Sequence, residues 1–172
     1  MMAATDFHVV RRPYHDVSVT SRPYVTDASE RERVMREVID SLWDVTGRHG
    51  VSWIGFYLRV PGRDEMVLGP RRDKPACSPI GLQGMCGRCM LERKPILVDD
   101  VRTLGSNYIA CDPRDMSEAV VPLIGPDGSC DAVLDADSYE FSAFTGHDID
   151  HLSAILLRAG LSAYIATPTL NL

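Results

Sequence analysis

The chain is predicted to fold as one α+β domain, an antiparallel sheet with helices from the two ends of the domain on one face and long loops on the other. Three observations carry that prediction. Apolar residues recur at helical spacing over residues 28–48 and again over 145–159, whereas the runs between them alternate with a period of two. Those runs are joined by turns such as Gly62-Arg-Asp64 and Gly125-Pro-Asp127-Gly128, too short for a parallel crossover. A chain of 172 residues with 45% hydrophobic and 24% charged residues has the balance of a single globular domain.

Residues 1–27 hold Pro13 and Pro23 and no clean period, and form an N-terminal arm ahead of a domain over 28–168. Ser29 and Glu32 fit a capping box. Val34, Val38, Leu42 and Val45, widened by Met35 and Ile39, make the stripe of a helix over 28–48, ended by Gly47 or Gly50. Val51 to Val60 is a strand apolar on both faces, with Trp53, Gly55 and Tyr57 on one and Ile54, Phe56 and Leu58 on the other. Met66 to Leu68 returns as a second strand, and Cys77 to Ile80 is a short third. Gly84 to Arg93 reads as a short helix, Pro95 to Val98 as a strand, and 99–117 as loop. Glu118–Ile124 and Asp131–Asp137 form a hairpin, in which Pro122 needs a bulge or an unpaired side. Thr145 and Asp148 make a second capping box, before a helix striped by Ile149, Leu152, Leu156 and Ala159.

Charge and cysteine usage narrow the function. A net charge of −6 argues against a nucleic-acid backbone or an anionic membrane as partner. No apolar run approaches the roughly 18 residues of a membrane span. The N-terminus reads as neither a signal nor a transit peptide, so the cytoplasm is the expected compartment. Five cysteines cannot all pair internally, and a reducing cytosol disfavours structural disulfides. Zinc on Cys77, Cys86, Cys89 and Cys111 lacks a second paired motif, so no metal is expected. His147 and His151 have zinc-helix spacing but no adjacent glutamate, and read as solvated.

Two features point to chemistry. Asp135 and Asp137 share one face of an apolar strand, and Glu118 can join them across the hairpin. Crowded carboxylates raise one another's pKa, and a protonated one serves as a general acid; the plainer reading is a wet strand end. Cys86 opens a short helix near Arg88, both of which favour thiolate. Cys89 and Cys130 read as small core residues.

A family resemblance rests on motifs that run in order from Trp53-Ile-Gly-Phe-Tyr57 through Lys74-Pro-Ala-Cys77, Gly84-Met-Cys86-Gly, Val98-Asp-Asp-Val101 and Ile109-Ala-Cys111-Asp112 to Ser117-Glu118-Ala-Val-Val-Pro-Leu123 and Val133-Leu-Asp135-Ala-Asp137-Ser138. Together they resemble the free methionine-(R)-sulfoxide reductases, which are GAF domains. The resemblance implies a six-stranded antiparallel sheet, Cys111 as nucleophile with Cys77 and Cys86 as resolving thiols, and substrate held by Glu118, Asp135 and Asp137 beside an aromatic wall of Trp53 and Tyr57. A slot over Gly55 between those rings would take the methyl group. It implies reduction through a cysteine sulfenic acid and an intramolecular disulfide, reset by a thioredoxin-like reductant, with no cofactor, and a homodimer by analogy with other GAF domains.

The chain departs from the family pattern at Ser106-Asn107-Tyr108, at Asp115 where serine is usual, at Asp131-Ala132, and in the extra Cys89. The loop changes lie beside the nucleophile and bear on rate and substrate geometry more than on fold. Tyr108 and Asp115 are the next proton sources. The alternatives are a non-catalytic GAF module binding a small ligand such as a cyclic nucleotide, which three matched cysteines argue against, and a thiol redox sensor, which would need an output domain.

Overall fold

Because Trp53–Arg59 is apolar on both faces, it forms a strand covered on both sides and lying inside the sheet. In a computed structural model, which describes residues 11–108 and 111–172, that strand is β1. The first ten residues of the expected arm, and Ile109-Ala110 of the motif before Cys111, lie outside the described residues. The other elements are α1 (Ala28–Thr46), β2 (Glu65–Arg72), β3 (Ile80–Gly81), α2 (Met85–Glu92), β4 (Ile96–Val98), β5 (Ser117–Ile124), β6 (Cys130–Ser138), α3 (Gly146–Arg158) and β7 (Leu170–Asn171). Strand order is β3-β2-β1-β6-β5-β4-β7, antiparallel throughout except for β4 with β7.

The sheet thus has seven strands where six were expected. The seventh is two residues long and carries no readable period. Its neighbour Leu172 continues the contact, donating its N–H to the Leu97 carbonyl at 2.9 Å and accepting from the Asp99 N–H at 3.2 Å. The tail so covers an edge that would otherwise present free backbone groups.

Alternation along the strands divides the interior in two. Ile54, Phe56, Leu134 and Ala136 face α1 and α3, meeting Val38, Ile39, Leu42, Leu152 and Leu156. Trp53, Tyr57, Val120 and Val133 face the other way, toward α2 and the loops. Among the described residues no helix is long and apolar enough to cross a membrane.

The helix ends differ from expectation at one cap. Asp27, not Ser29, caps α1: its carboxylate accepts the Glu30 N–H at 2.8 Å, and the Ser29 hydroxyl donates to the same oxygen at 2.7 Å. The Thr145–Asp148 box at α3 forms as expected. Residues 101–107, expected as loop, form a 3-10 helix, with Gly105 at φ +57° marking a break inside it. Pro122 lies two residues past Val120, the last partner of β4, where a missing N–H is tolerated.

The described part of the arm is anchored. Arg12 pairs with Asp148 at 2.7 Å with side-chain exposures of 0% and 2%, and the Tyr14 hydroxyl donates to the same carboxylate at 2.8 Å. Arg12 also lies 4.6 Å over the Phe144 ring. His151 stacks on Tyr14 at 5.1 Å with His147 against its edge, so this pair covers the arm, and His151 is half-buried rather than solvated.

Candidate functional site

Strand register gathers the acidic residues. Trp53 lies opposite Asp137 and Gly55 opposite Asp135, while Asp137 lies opposite Glu118 on β5. Glu118, Asp135 and Asp137 each offer a carboxylate oxygen within 4.8 Å of the others. Glu118 is 7% and Asp135 6% exposed, and Glu118 Oε1 and Asp135 Oδ1 have no hydrogen-bond partner. This is a buried cluster rather than a wet strand end. Burial and mutual repulsion hold the Glu118 and Asp137 carboxyls well above the usual carboxylate range. Burial pushes Asp135 up to about 7, against the downward pull of a hydrogen bond from Cys86. Asp115, buried on the approach to β5, is pushed up to about 6 by burial and by the charge of Asp112. Such a cluster holds protons near neutral pH.

The aromatic wall ties the cysteine loops to the sheet. Trp53 Nε1–H donates to the Lys74 carbonyl and the Tyr57 hydroxyl to the Cys77 carbonyl, both at 2.9 Å. Gly55 makes this wall possible: a Cβ there would lie 2.5 Å from the Trp53 indole and 2.8 Å from Arg71 Cβ. The space above Gly55, expected as a slot between the rings, is filled by the Trp53 indole itself, with the ring centroids of Trp53 and Tyr57 6.0 Å apart.

Each expected cysteine occupies a distinct place. Cys111 sits on the exposed loop before β5, with its sulfur accepting the Cys77 N–H at 3.3 Å. Partial shielding of that sulfur from water and the neighbouring Cys77 thiol push Cys111 up to about 12, although the Tyr57 hydroxyl pulls it down, so the resting group is a thiol. Cys86 donates to Asp135 Oδ2 at 3.3 Å from the first turn of α2. A thiolate was expected there. Instead burial and the Asp135 charge push Cys86 well up, and Arg88 is turned outward to Glu92 at 2.7 Å. Cys89 is fully buried among Met85 and Met90, and the Cys130 thiol donates to the Ala132 carbonyl.

Three adjoining cavities of about 40, 30 and 130 Å³ all border Cys111. The first also touches Cys86, Glu118 and Asp135, and the second Trp53, Tyr57 and the three carboxylates. Tyr108 lines both and Asp115 the last two, so the residues held in reserve from sequence stand in the site. A larger open groove of about 400 Å³ runs beside α1 and β2, lined by Arg36, Arg71 and Arg72, and no thiol reaches it. Among the described residues the three carboxylates are the group whose donor atoms converge closely enough for an ion, and the cysteines form none. Sequence reading passed over Asp112, Lys74 and Tyr139, whose side chains meet at the outer rim of the site; the signal available was the position of Lys74 and Asp112 inside the two cysteine motifs.

A family model described as a GAF domain matches residues 28–161. A free methionine-R-sulfoxide reductase of Escherichia coli is 36% identical, over 68% of this chain and 68% of that one. A solved free methionine-R-sulfoxide reductase from Neisseria meningitidis, in complex with its substrate, is 28% identical with a TM-score of 0.67, covering 83% of this chain and 94% of that one. The reduced form of fRMsr of Staphylococcus aureus is 29% identical with a TM-score of 0.66, covering 84% of this chain and 100% of that one.

Proposed function

This chain belongs to the GAF-domain family and, within it, to the free methionine-R-sulfoxide reductases, and on that premise we propose that it reduces free methionine-(R)-sulfoxide to methionine. The observation that carries the proposal is the meeting of Cys111 with Glu118, Asp135 and Asp137 around one set of cavities. A sulfoxide bound there presents its sulfur to Cys111 and its α-ammonium group to the carboxylates. The Cys111 sulfur attacks the sulfoxide sulfur while a carboxyl of the cluster gives its proton to the departing oxygen. The S–O bond breaks as the hydroxyl passes to the Cys111 sulfur, the Cys111 thiol proton replaces the one the cluster gave up, methionine leaves with its sulfur reduced, and Cys111 is left as a sulfenic acid. The Cys77 thiol, whose own backbone N–H already meets Cys111, condenses with it, releasing water and forming a disulfide. Two electrons from a thioredoxin-like dithiol reopen that bond. The chemistry needs a reducing compartment, for which the cytoplasm is our reading. The proton belongs to the cluster as a whole, since its members titrate together.

Reductant-coupled turnover with resolved epimers tests the proposal. The free (R)-epimer is reduced and the (S)-epimer is not. An N-acetylated substrate, which lacks the ammonium charge, loses at least about 2 kcal/mol of transition-state binding. Equal turnover of free and acetylated substrate would falsify the ammonium-pocket reading.

A further inference from the structure

The two loops that carry Cys77 and Cys111 are joined outside the cavities as well as inside. Lys74, three residues before Cys77, donates from Nζ to Asp112 Oδ2 at 2.7 Å. Asp112, the residue after Cys111, also accepts from Arg114 Nη2 at 2.7 Å and from the Tyr139 hydroxyl at 3.0 Å. Tyr139 follows directly on β6, so it is an anchor on the sheet. Lys74 hydrogen-bonds the Tyr139 hydroxyl, and the cations of Lys74 and Arg114 lie 4.9 and 4.6 Å from the Tyr139 ring centre. The Lys74 backbone is meanwhile pinned by Trp53. One carboxylate and one phenol therefore hold the Cys77 loop, the Cys111 loop and the end of β6 together.

We propose that Lys74, Asp112 and Tyr139 form a latch that positions Cys77 against Cys111, and so decides that the Cys111 sulfenic acid closes to a disulfide with Cys77. These are positioning residues: none of them takes part in bond making. Two loops without a fixed strand between them lose their mutual position readily, and a thiol held at its target reacts as though at very high local concentration. The bond formed is S–S between Cys77 and Cys111, the bond broken is S–OH, and the hydroxyl leaves as water with the Cys77 proton. The inference rests on the reductase reading only for the natural oxidant.

Hydrogen peroxide in stoichiometric amount replaces that oxidant, taking the Cys111 thiol to sulfenic acid with release of water. Quenched samples with a dimedone-type probe are then mapped by mass spectrometry. The full chain passes quickly to a Cys77–Cys111 disulfide with little adduct. Lys74→Met loses the Cys111 thiol at the unchanged rate but closes the disulfide about tenfold more slowly, with adduct accumulating on Cys111. Tyr139→Phe gives a smaller delay of the same kind, and Lys74→Arg restores closure. The latch is overturned by a Lys74→Met protein that closes at the parental rate, by equal slowing of both steps, or by a disulfide to Cys86 in the parent chain. If peroxide closes the disulfide as described but free methionine sulfoxide is not turned over, the reductase reading fails and the latch stands.

Discussion

Leu134 and Asp135 are neighbours on β6 and face opposite sides of the sheet. Leu134 enters the layer under α1 and α3, where Ile54, Phe56 and Ala136 are its partners on the same face. Asp135 enters the layer under α2 and the loops, where it lies with Glu118 and Asp137 and leaves Oδ1 unpaired. One face is packed for stability. The other buries groups whose charged forms oppose folding, each at a cost of about 1–3 kcal/mol when unpaired. Reactive groups gather on the face with fewer regular elements over it, because loops can bring thiols to a carboxylate cluster and a close-packed helix layer cannot.

The largest expected effect lies on the loop face. Cys111→Ser is expected to lower single-turnover formation of methionine by about three orders of magnitude or more, since the hydroxyl is a far weaker nucleophile than sulfur. Thermal unfolding of the variant should match the parent, because the residue is exposed. Retained activity would move the nucleophile to Cys86. On the helix face the effect reverses in kind: Leu134→Ala should cost about 2–5 kcal/mol in urea unfolding, with turnover per folded molecule kept. A Leu134→Ala protein as stable as its parent would break the division between the faces.

Much of this division was legible in the sequence. A strict period of two along Trp53–Leu58 and Val133–Asp137 assigned residues to faces, and a one-residue slip would have turned every one of them over. The loop face was less legible, because its geometry depends on contacts between segments with no period. Nothing in the composition of Lys74, Asp112 and Tyr139 indicates that they converge. Cys86 illustrates the same limit. Its place at a helix start was readable, but what overrides the helix end is burial first and then the Asp135 carboxylate, which comes from a strand 49 residues away. The Arg12–Asp148 pair spans 136 residues, so an arm without periodicity gave no sign of being anchored.

A pH series sharpens the comparison. Asp135 is held at about 7 in the fold against an ordinary 3.8, so between those values the native state keeps a proton that the unfolded chain has lost. Its contribution to stability is therefore full below about pH 4 and lost as pH rises through about 7, a range on the order of 4 kcal/mol at most. Asp135→Asn should flatten that decline and make the protein more stable at pH 8 than its parent in urea titrations. The same variant should slow the first half-reaction, as should Glu118→Gln and Asp137→Asn, because each removes an acid from the cluster. A parent whose stability rises from pH 5 to 8, with no change of slope in Asp135→Asn, would mean that the carboxylates are solvated.

The smallest effect separates two thiols one helical turn apart. Cys86 and Cys89 both lie on the buried side of α2, but Cys86 alone donates to Asp135, and Cys89 borders none of the cavities around Cys111. Cys89→Ala removes a sulfur from packing against Met85 and Met90 and should cost about 1 kcal/mol, with turnover within about twofold of the parent. Cys86→Ala removes the hydrogen bond to Oδ2 and leaves both Asp135 oxygens without a side-chain donor, so the pH above which the first half-reaction declines should move upward. Cys89→Ala should leave that pH where it is, since the thiol that donates to the cluster is Cys86 and a neutral Cys89 adds no charge there. Thiol mapping after one turnover should find Cys89 still reduced. A Cys86–Cys89 bridge at that point would place redox chemistry inside α2, and the extra cysteine would then be a second electron carrier rather than a core side chain.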